Sequence, residues 1–388
     1  MIARFAKTRR ILCFLLLLSG AAPLFPATVT VPYLELFTKA STGGGFDLQS
    51  EGEIDLLVSG GYKFGGSMVL GFLSNNLEQD LTNRIALESS EGGTLTLKAA
   101  SIAIQNLLGL PLAFNYFIGL NDAFASGDGF SDLFGTIPIT TQYSGFMYFS
   151  DGIRYNGIHR VAGTGLRLLL APEKNRFASA LYLYQDAYFA VEGPPGEYTF
   201  ESGHYSADWR LMLNLEKIHM DCFLGATYPA STWGYYRTGL LFHAANPGGE
   251  FLAQIGIPRY DPYADTFGLD LLYLLFEARL TLGVFSIIPT AFLHPGRYEQ
   301  KATGEGGLID FNLNFRIGDP TVSLINGGLE GNLVFDDPTL QDFTAKASPY
   351  LNIATPGVLW QLKVDAQLFP WEGPANMFGA YIGVKAQF

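Results

Sequence analysis

The sequence predicts an all-β fold: a transmembrane antiparallel β-barrel of about 18 strands, range about 16–20. Two observations carry it. Segments about ten residues long alternate apolar and polar positions, which is the pattern of an extended strand with one oily and one wet face. The breaks between those segments alternate short and long along the chain. Composition agrees: of 388 residues only 15% are charged, 14% are aromatic, and there are 45 Gly and 20 Tyr. Mean hydropathy is +0.18, a balance that suits one solvated and one greasy face better than a soluble enzyme.

The chain opens with Arg4, Lys7, Arg9 and Arg10, then an apolar run from Ile11 to about Leu18, then small residues and prolines. This is the n-, h- and c-region order of a secretory signal peptide, too short for a spanning helix. Residues 1–27 are assigned to it, with cleavage after Ala27 and with Ala21 or Ala22 as alternatives. Cys13 sits in the apolar run without a lipobox, so export rather than lipid anchoring is expected. Removing 1–27 takes away four of 24 basic residues and none of the 36 acidic ones, so the net charge moves from −12 to −16. Nucleic acid is excluded as a partner on that charge. Only Cys222 remains, which excludes an intrachain disulfide or a cysteine-based metal framework.

Residues 28–388 read as a single barrel domain. Ile309, Phe311, Leu313, Phe315 and Ile317 alternate with Asp310, Asn312, Asn314 and Arg316. Trp360, Leu362, Val364, Ala366 and Leu368 alternate with Gln361, Lys363, Asp365 and Gln367, and Trp209, Leu211, Leu213 and Leu215 oppose Arg210, Met212, Asn214 and Glu216. Gly-rich "STGGGF" and "SGGYKFGG" read as turns. Short breaks fall at 59–61, 91–93, 172–175, 216–217, 246–249, 318–320 and 354–356. Longer polar ones fall at 74–83, 150–159, 190–203, 258–265, 295–306, 336–341 and 369–376. A soluble β-sandwich also alternates, but it has no reason to keep that parity over so many hairpins.

Two regions resist. Residues 121–140 would form a long connection at the short-turn end, acting as a lid or hiding a miscounted pair. Residues 267–293 are apolar on both faces. Asp270, Glu277, Arg279 and Pro289 argue against a spanning helix there, leaving two strands that face a protein interface or a plugged lumen.

The chain ends Tyr381-x-Gly383-x-x-Ala386-x-Phe388. This spacing is similar to the C-terminal signal that bacterial outer-membrane β-barrel proteins present to the barrel-assembly machinery, and the chain resembles that family, porin-like in size. The resemblance implies an outer membrane of a Gram-negative-type bacterium, periplasmic termini, and outer-membrane lipid and the assembly machinery as partners. It also leaves room for a homo-oligomer.

A closed barrel puts its polar residues inward. The alternation places Arg210, Glu216, Asp221, Arg237, Asp310, Arg316, Lys346, Lys363, Asp365 and Lys385 on that face as candidate pore-lining residues. Charges of both signs on facing walls would set a transverse field across a wet channel; the competing arrangement has them pair and knit the lumen shut. The favoured function is passive diffusion of small hydrophilic solutes. The alternatives are a surface protein acting through its outer loops and a carrier for hydrophobic solutes, with Tyr182 and Tyr184 compatible with the latter. No enzyme activity, cofactor or metal is expected. His204, Ser206 and Asp208 share one strand face, but steps of two along a strand span roughly 6.5–7 Å, too far for a hydrogen-bonded triad. The acidic sets Asp122, Asp128, Asp132 and Asp261, Asp265 lack EF-hand spacing.

Overall fold

The computed structural model describes residues 28–41, 47–60, 63–74, 94–137, 139–142, 157–172, 176–187, 190–192, 198–200, 204–228, 234–263, 265–293, 309–319, 323–335, 340–371, 373 and 377–387. The assigned signal peptide, the breaks at 91–93 and 295–306, much of those at 74–83, 150–159, 172–175, 190–203, 336–341 and 369–376, and Phe388 lie outside them.

The strands are β1 Thr28–Ser41, β2 Asp47–Gly60, β3 Phe64–Ser74, β4 Thr94–Ile104, β5 Leu112–Phe124, β6 His159–Leu170, β7 Phe177–Asp186, β8 Ala190–Glu192, β9 Tyr198–Phe200 and β10 Tyr205–Leu215. They continue as β11 Ile218–Tyr228, β12 Tyr235–Asn246, β13 Gly249–Tyr260, β14 Tyr273–Leu282, β15 Phe285–Leu293, β16 Ile309–Ile317, β17 Ile325–Phe335, β18 Phe343–Thr355, β19 Val358–Phe369 and β20 Phe378–Gln387. All but β8 and β9 form one 18-stranded antiparallel sheet. It closes because β1 pairs with β2 on one side and with β20 on the other, from Tyr33↔Gln387 to Ser41↔Gly379. β8 and β9 pair only with each other, and β7 pairs directly with β10 across the connection that holds them. The predicted strand number and closed topology are both observed.

Antiparallel order sends every odd crossing to one end. One end therefore gathers the short turns together with Thr28 and Gln387, and the other gathers the long loops. Outward positions carry exposed apolar side chains such as Leu183, Trp209, Leu224, Phe311, Leu313 and Ile382. Closure satisfies the backbone while leaving this belt against hydrocarbon, which is what makes the barrel a membrane-spanning one. Aromatic residues mark its borders: Phe311, Phe335, Phe343 and Phe369 form a ring ladder around the loop end, with centroids 6.0, 5.7 and 4.7 Å apart, the girdle expected at a bilayer interface. A Leu313→Arg change in mid-belt should cost about 2–4 kcal/mol of folding free energy in lipid, measurable by denaturant titration in vesicles.

One element corrects the sequence reading. β4 and β5 are joined at the short-turn end by residues 105–111, which include a 3-10 turn at Leu107–Gly109 and left-handed Asn106 and Leu108. The run Leu107, Leu108, Leu110 hides this turn because its residues are apolar. Residues 121–140 belong to the long-loop end, not to the short-turn end, because β5 runs out there to Phe124, opposite His159 at the start of β6. The region 267–293 forms β14 and β15 around Gly283, whose φ of 67° makes the turn. It is apolar on both faces because its inner face, Tyr273, Leu275, Ile288 and Phe292, is buried inside the barrel.

Candidate functional site

The barrel interior is divided. From the loop end of β5 the chain turns inward and runs through 125–142 across the lumen. The sequence favours this locally. Gly127 has a φ of 90° and sits hard against the Ile139 backbone, a neck where any side chain would clash. A single helical turn follows, α1 Gly129–Phe134, in which Phe130 and Phe134 share one face with ring centroids 5.8 Å apart. Left-handed Gly135 ends it, its N–H donating to Ser131 O at 2.9 Å. The apolar side of this segment joins Phe117, Phe124, Val161, Met212, Phe223, Leu241, Leu252, Tyr273 and Phe292 in one buried core, so the lumen along β5–β7 and β10–β15 is packed with side chains.

Inward polar residues fasten both ends of the segment. At its start Ala125 N donates to Asp221 Oδ2 at 2.9 Å, and Gln254 Nε2 donates to Ala125 O at 2.5 Å. At its end the fully buried Glu277 carboxylate accepts from Thr141 Oγ1 at 2.6 Å and from Gln142 N at 3.0 and 3.1 Å. Arg279 donates to Glu277 at 2.7 Å and to Thr140 O at 2.5 Å, and Arg316 Nη1 donates to Gln142 Oε1. On the segment itself Asp128 and Asp132 face the lumen. Desolvation inside the barrel, joined for Asp128 by repulsion from Asp132 and for Asp132 by Asp122, raises both carboxyls above the ordinary range.

Two charge networks line the packed half of the lumen. Arg210 donates to Asp221 through Nε at 2.9 Å and Nη2 at 2.6 Å and to Asp122 through Nη1 at 2.8 Å; Arg167 and Tyr182 also donate to Asp122. Nearer the loop end, Arg237 forks onto Asp208 at 2.6 and 2.8 Å and reaches Thr227 at 2.6 Å. Tyr184 OH donates to the same Asp208 at 2.7 Å, and Ser206 Oγ donates to Asp186 at 2.7 Å. Glycine at 225 opposite Asp208 leaves room for that carboxylate. Buried charges persist only when paired and hydrogen-bonded, and here they are.

The remaining wall, β16–β20 with β1–β4, has another character. Its inward positions are amide-rich: Asn312 donates to Asn332, Asn314 Nδ2 to Glu330 at 3.2 Å, and Asn352 Nδ2 to Asn326 at 2.9 Å. Lys363 Nζ is 2.9 Å from Glu330 and 3.8 Å from Asp365. On β1 and β2, Glu35 stands directly opposite Glu53 and Phe37 opposite Glu51, with Asp55 one inward step further along. Lys98 bridges Glu53 at 2.6 Å. Like charges facing each other across strands disfavour pairing, so this acidic stretch is held in spite of local stability.

The candidate residues therefore separate. Arg210, Asp221 and Arg237 lie in the packed half as ion-pair partners, and Arg316 meets the infolded segment. Lys363 and Asp365 on β19 belong to the amide-rich wall, with Asp310 buried on β16 of the same wall; Lys346 and Lys385 are half-buried on the inner face. Lys385 Nζ lies 4.8 Å over the Tyr33 ring. Glu216 is exposed in the two-residue turn between β10 and β11, off the wall. Of the terminal motif, Tyr381 and Gly383 face inward, Gly383 beneath the Phe37 ring, while Ala386 faces outward. Sequence reasoning missed Gln254, Glu277, Arg279 and Asp122 as organisers of the interior. Glu277 and Arg279 carried a signal, since opposite charges two apart on one face of an otherwise apolar strand need a buried partner. His204, Ser206 and Asp208 form no triad: Ser206 bonds Asp186 and Asp208 bonds Arg237 and Tyr184.

The fold and its divided lumen define a transmembrane β-barrel. No protein-family model and no curated protein matches the chain. Among solved structures, a substituted Rh. blastica porin is similar at 9% identity and a TM-score of 0.47, covering 93% of this chain and 100% of the porin. Pseudomonas putida OprB, in its low-pH structure, is similar at 8% identity and a TM-score of 0.43, covering 100% of this chain and 98% of that one. Likeness at this distance carries no argument about activity; the barrel class rests on the strand pairing of the chain itself.

Proposed function

We propose that the chain is an outer-membrane channel through which small hydrophilic solutes diffuse passively, not an enzyme. The observation that carries this is the division of the lumen. Among the described residues the infolded segment packs against β5–β7 and β10–β15 and meets β16 through Arg316; in this reading the polar, amide-rich and acidic wall on the other side lines the path. In this reading residues 1–27 direct export and are removed, residues 28–388 form the single domain, and the short-turn end faces the periplasm. The assembly machinery inserts the barrel into outer-membrane lipid.

The test is single-channel recording of the refolded mature protein in a planar bilayer with graded uncharged solutes. Ohmic steps that diminish with solutes small enough to enter are expected; a silent bilayer at protein densities that insert would sink the reading and favour action through the outer loops. The acidic stretch Glu35, Glu51, Glu53 and Asp55 should make the path cation-preferring. Glu53→Gln, which also releases Lys98, is expected to shift the reversal potential in a salt gradient toward that of the anion.

A further inference from the structure

We propose that His219 and His243 form a binding site for a divalent transition-metal ion of the zinc, copper or nickel class, at the short-turn mouth of the barrel. The inference does not depend on the channel reading. His219 is the second residue of β11, and the register places it directly opposite His243 on β12, both facing inward. Their ring centroids are 5.5 Å apart. Two imidazoles that bind one tetrahedral ion with metal–nitrogen bonds of about 2.0–2.1 Å have centroids about 5 Å apart, so the pair is already close to chelating distance.

A second observation points to a ligand. The Nδ1 atoms of both rings are buried without a hydrogen-bond partner, and the His243 side chain is only 7% exposed. Buried polar atoms are ordinarily satisfied; one metal ion held between the two rings would satisfy both Nδ1 atoms. Imidazole selects borderline transition metals over magnesium or calcium, which take oxygen ligands. Glu250 Oε2 lies 3.4 Å from His243 Nε2 and holds that ring, but Arg279 Nη1 already engages the carboxylate at 2.8 Å. Among the described residues no three His, Cys, Asp or Glu side chains converge on one point. The site is therefore an open one, with two protein nitrogens and water completing the shell. The Phe130 ring stands edge-on to His219 at 5.5 Å, so an ion held here would sit against the infolded segment.

The experiment titrates the full mature chain, refolded in detergent, with Cu2+. One ion per chain is expected, with an electron paramagnetic resonance spectrum of two equatorial nitrogens. His219→Gln and His243→Gln should each weaken binding roughly tenfold or more and leave one nitrogen. His204→Gln, at the opposite end, should change neither. Zn2+ should displace Cu2+, whereas Mg2+ in about hundredfold excess should not. No stoichiometric uptake, or an unaltered two-nitrogen spectrum in both variants, overturns the site. A reading free of any variant's folding comes from the unaltered protein: Zn2+ should shield both imidazoles from diethyl pyrocarbonate, and equal labelling with and without Zn2+ overturns the site as well.

Discussion

Replacing Glu277 by alanine is expected to raise the single-channel conductance severalfold. Its carboxylate is the shared acceptor for Thr141, for the Gln142 backbone, for Arg279 and, at 3.2 Å, for Thr290. Without it the C-terminal arm of the infolded segment loses its main acceptor, and Arg279 is left as a buried cation without its nearest counter-charge. The N-terminal arm, held by Asp221 and Gln254, remains, so the segment should swing rather than leave. Glu277→Gln retains shape and one acceptor oxygen and should open the path less. Conductance equal to that of the unaltered protein in both variants would show that the segment is fastened by its apolar packing alone.

The largest loss of stability is expected from Arg210→Ala, about 3–5 kcal/mol. The guanidinium, itself 3% exposed, neutralises Asp221 at 2.6 Å and Asp122 at 2.8 Å, and it lies 5.4 Å from the centroid of the Phe124 ring. Truncation leaves two buried carboxylates short of a counter-charge. It also undermines Asp221, which anchors the infolded segment. Removing the arginine and Asp221 together in favour of apolar residues of similar size should recover much of the loss, because an apolar pair has no charge to desolvate; Arg167 still serves Asp122. Denaturant midpoints of the single and double variants in detergent decide the matter. A double variant as unstable as the single one would mean that the ion pair supports the barrel through something other than charge balance.

How much of this was legible in the sequence follows from periodicity. Where one face meets lipid and the other meets water, as in Ile309–Ile317, the alternation gives strand, face and length directly. That is why closure and strand number were readable. Where both faces are apolar, as in Tyr273–Leu282, alternation vanishes and the reading becomes ambiguous. The ambiguity was itself informative, because it marks the wall against which the interior is packed. The turn at 105–111 was invisible because leucines occupy it. The inward face of Arg210 and Asp221 was readable, but their pairing was not. Register gives the facing residues only once strand order is known, and whether two charges line water or bury each other depends on a segment that crosses from elsewhere in the chain.

The seam between β1 and β20 has a consequence for biogenesis. It joins Tyr33 to Gln387 and Ser41 to Gly379, residues separated by nearly the whole polypeptide, whereas every other neighbour in the cylinder lies close by in sequence. Contacts of such separation carry the greatest loop-closure cost and form last. Until the C-terminal ribbon emerges and docks, both outermost ribbons carry unpaired amides and carbonyls that water or a helper must satisfy. The nascent chain is consequently most vulnerable to mispairing just before its final segment arrives.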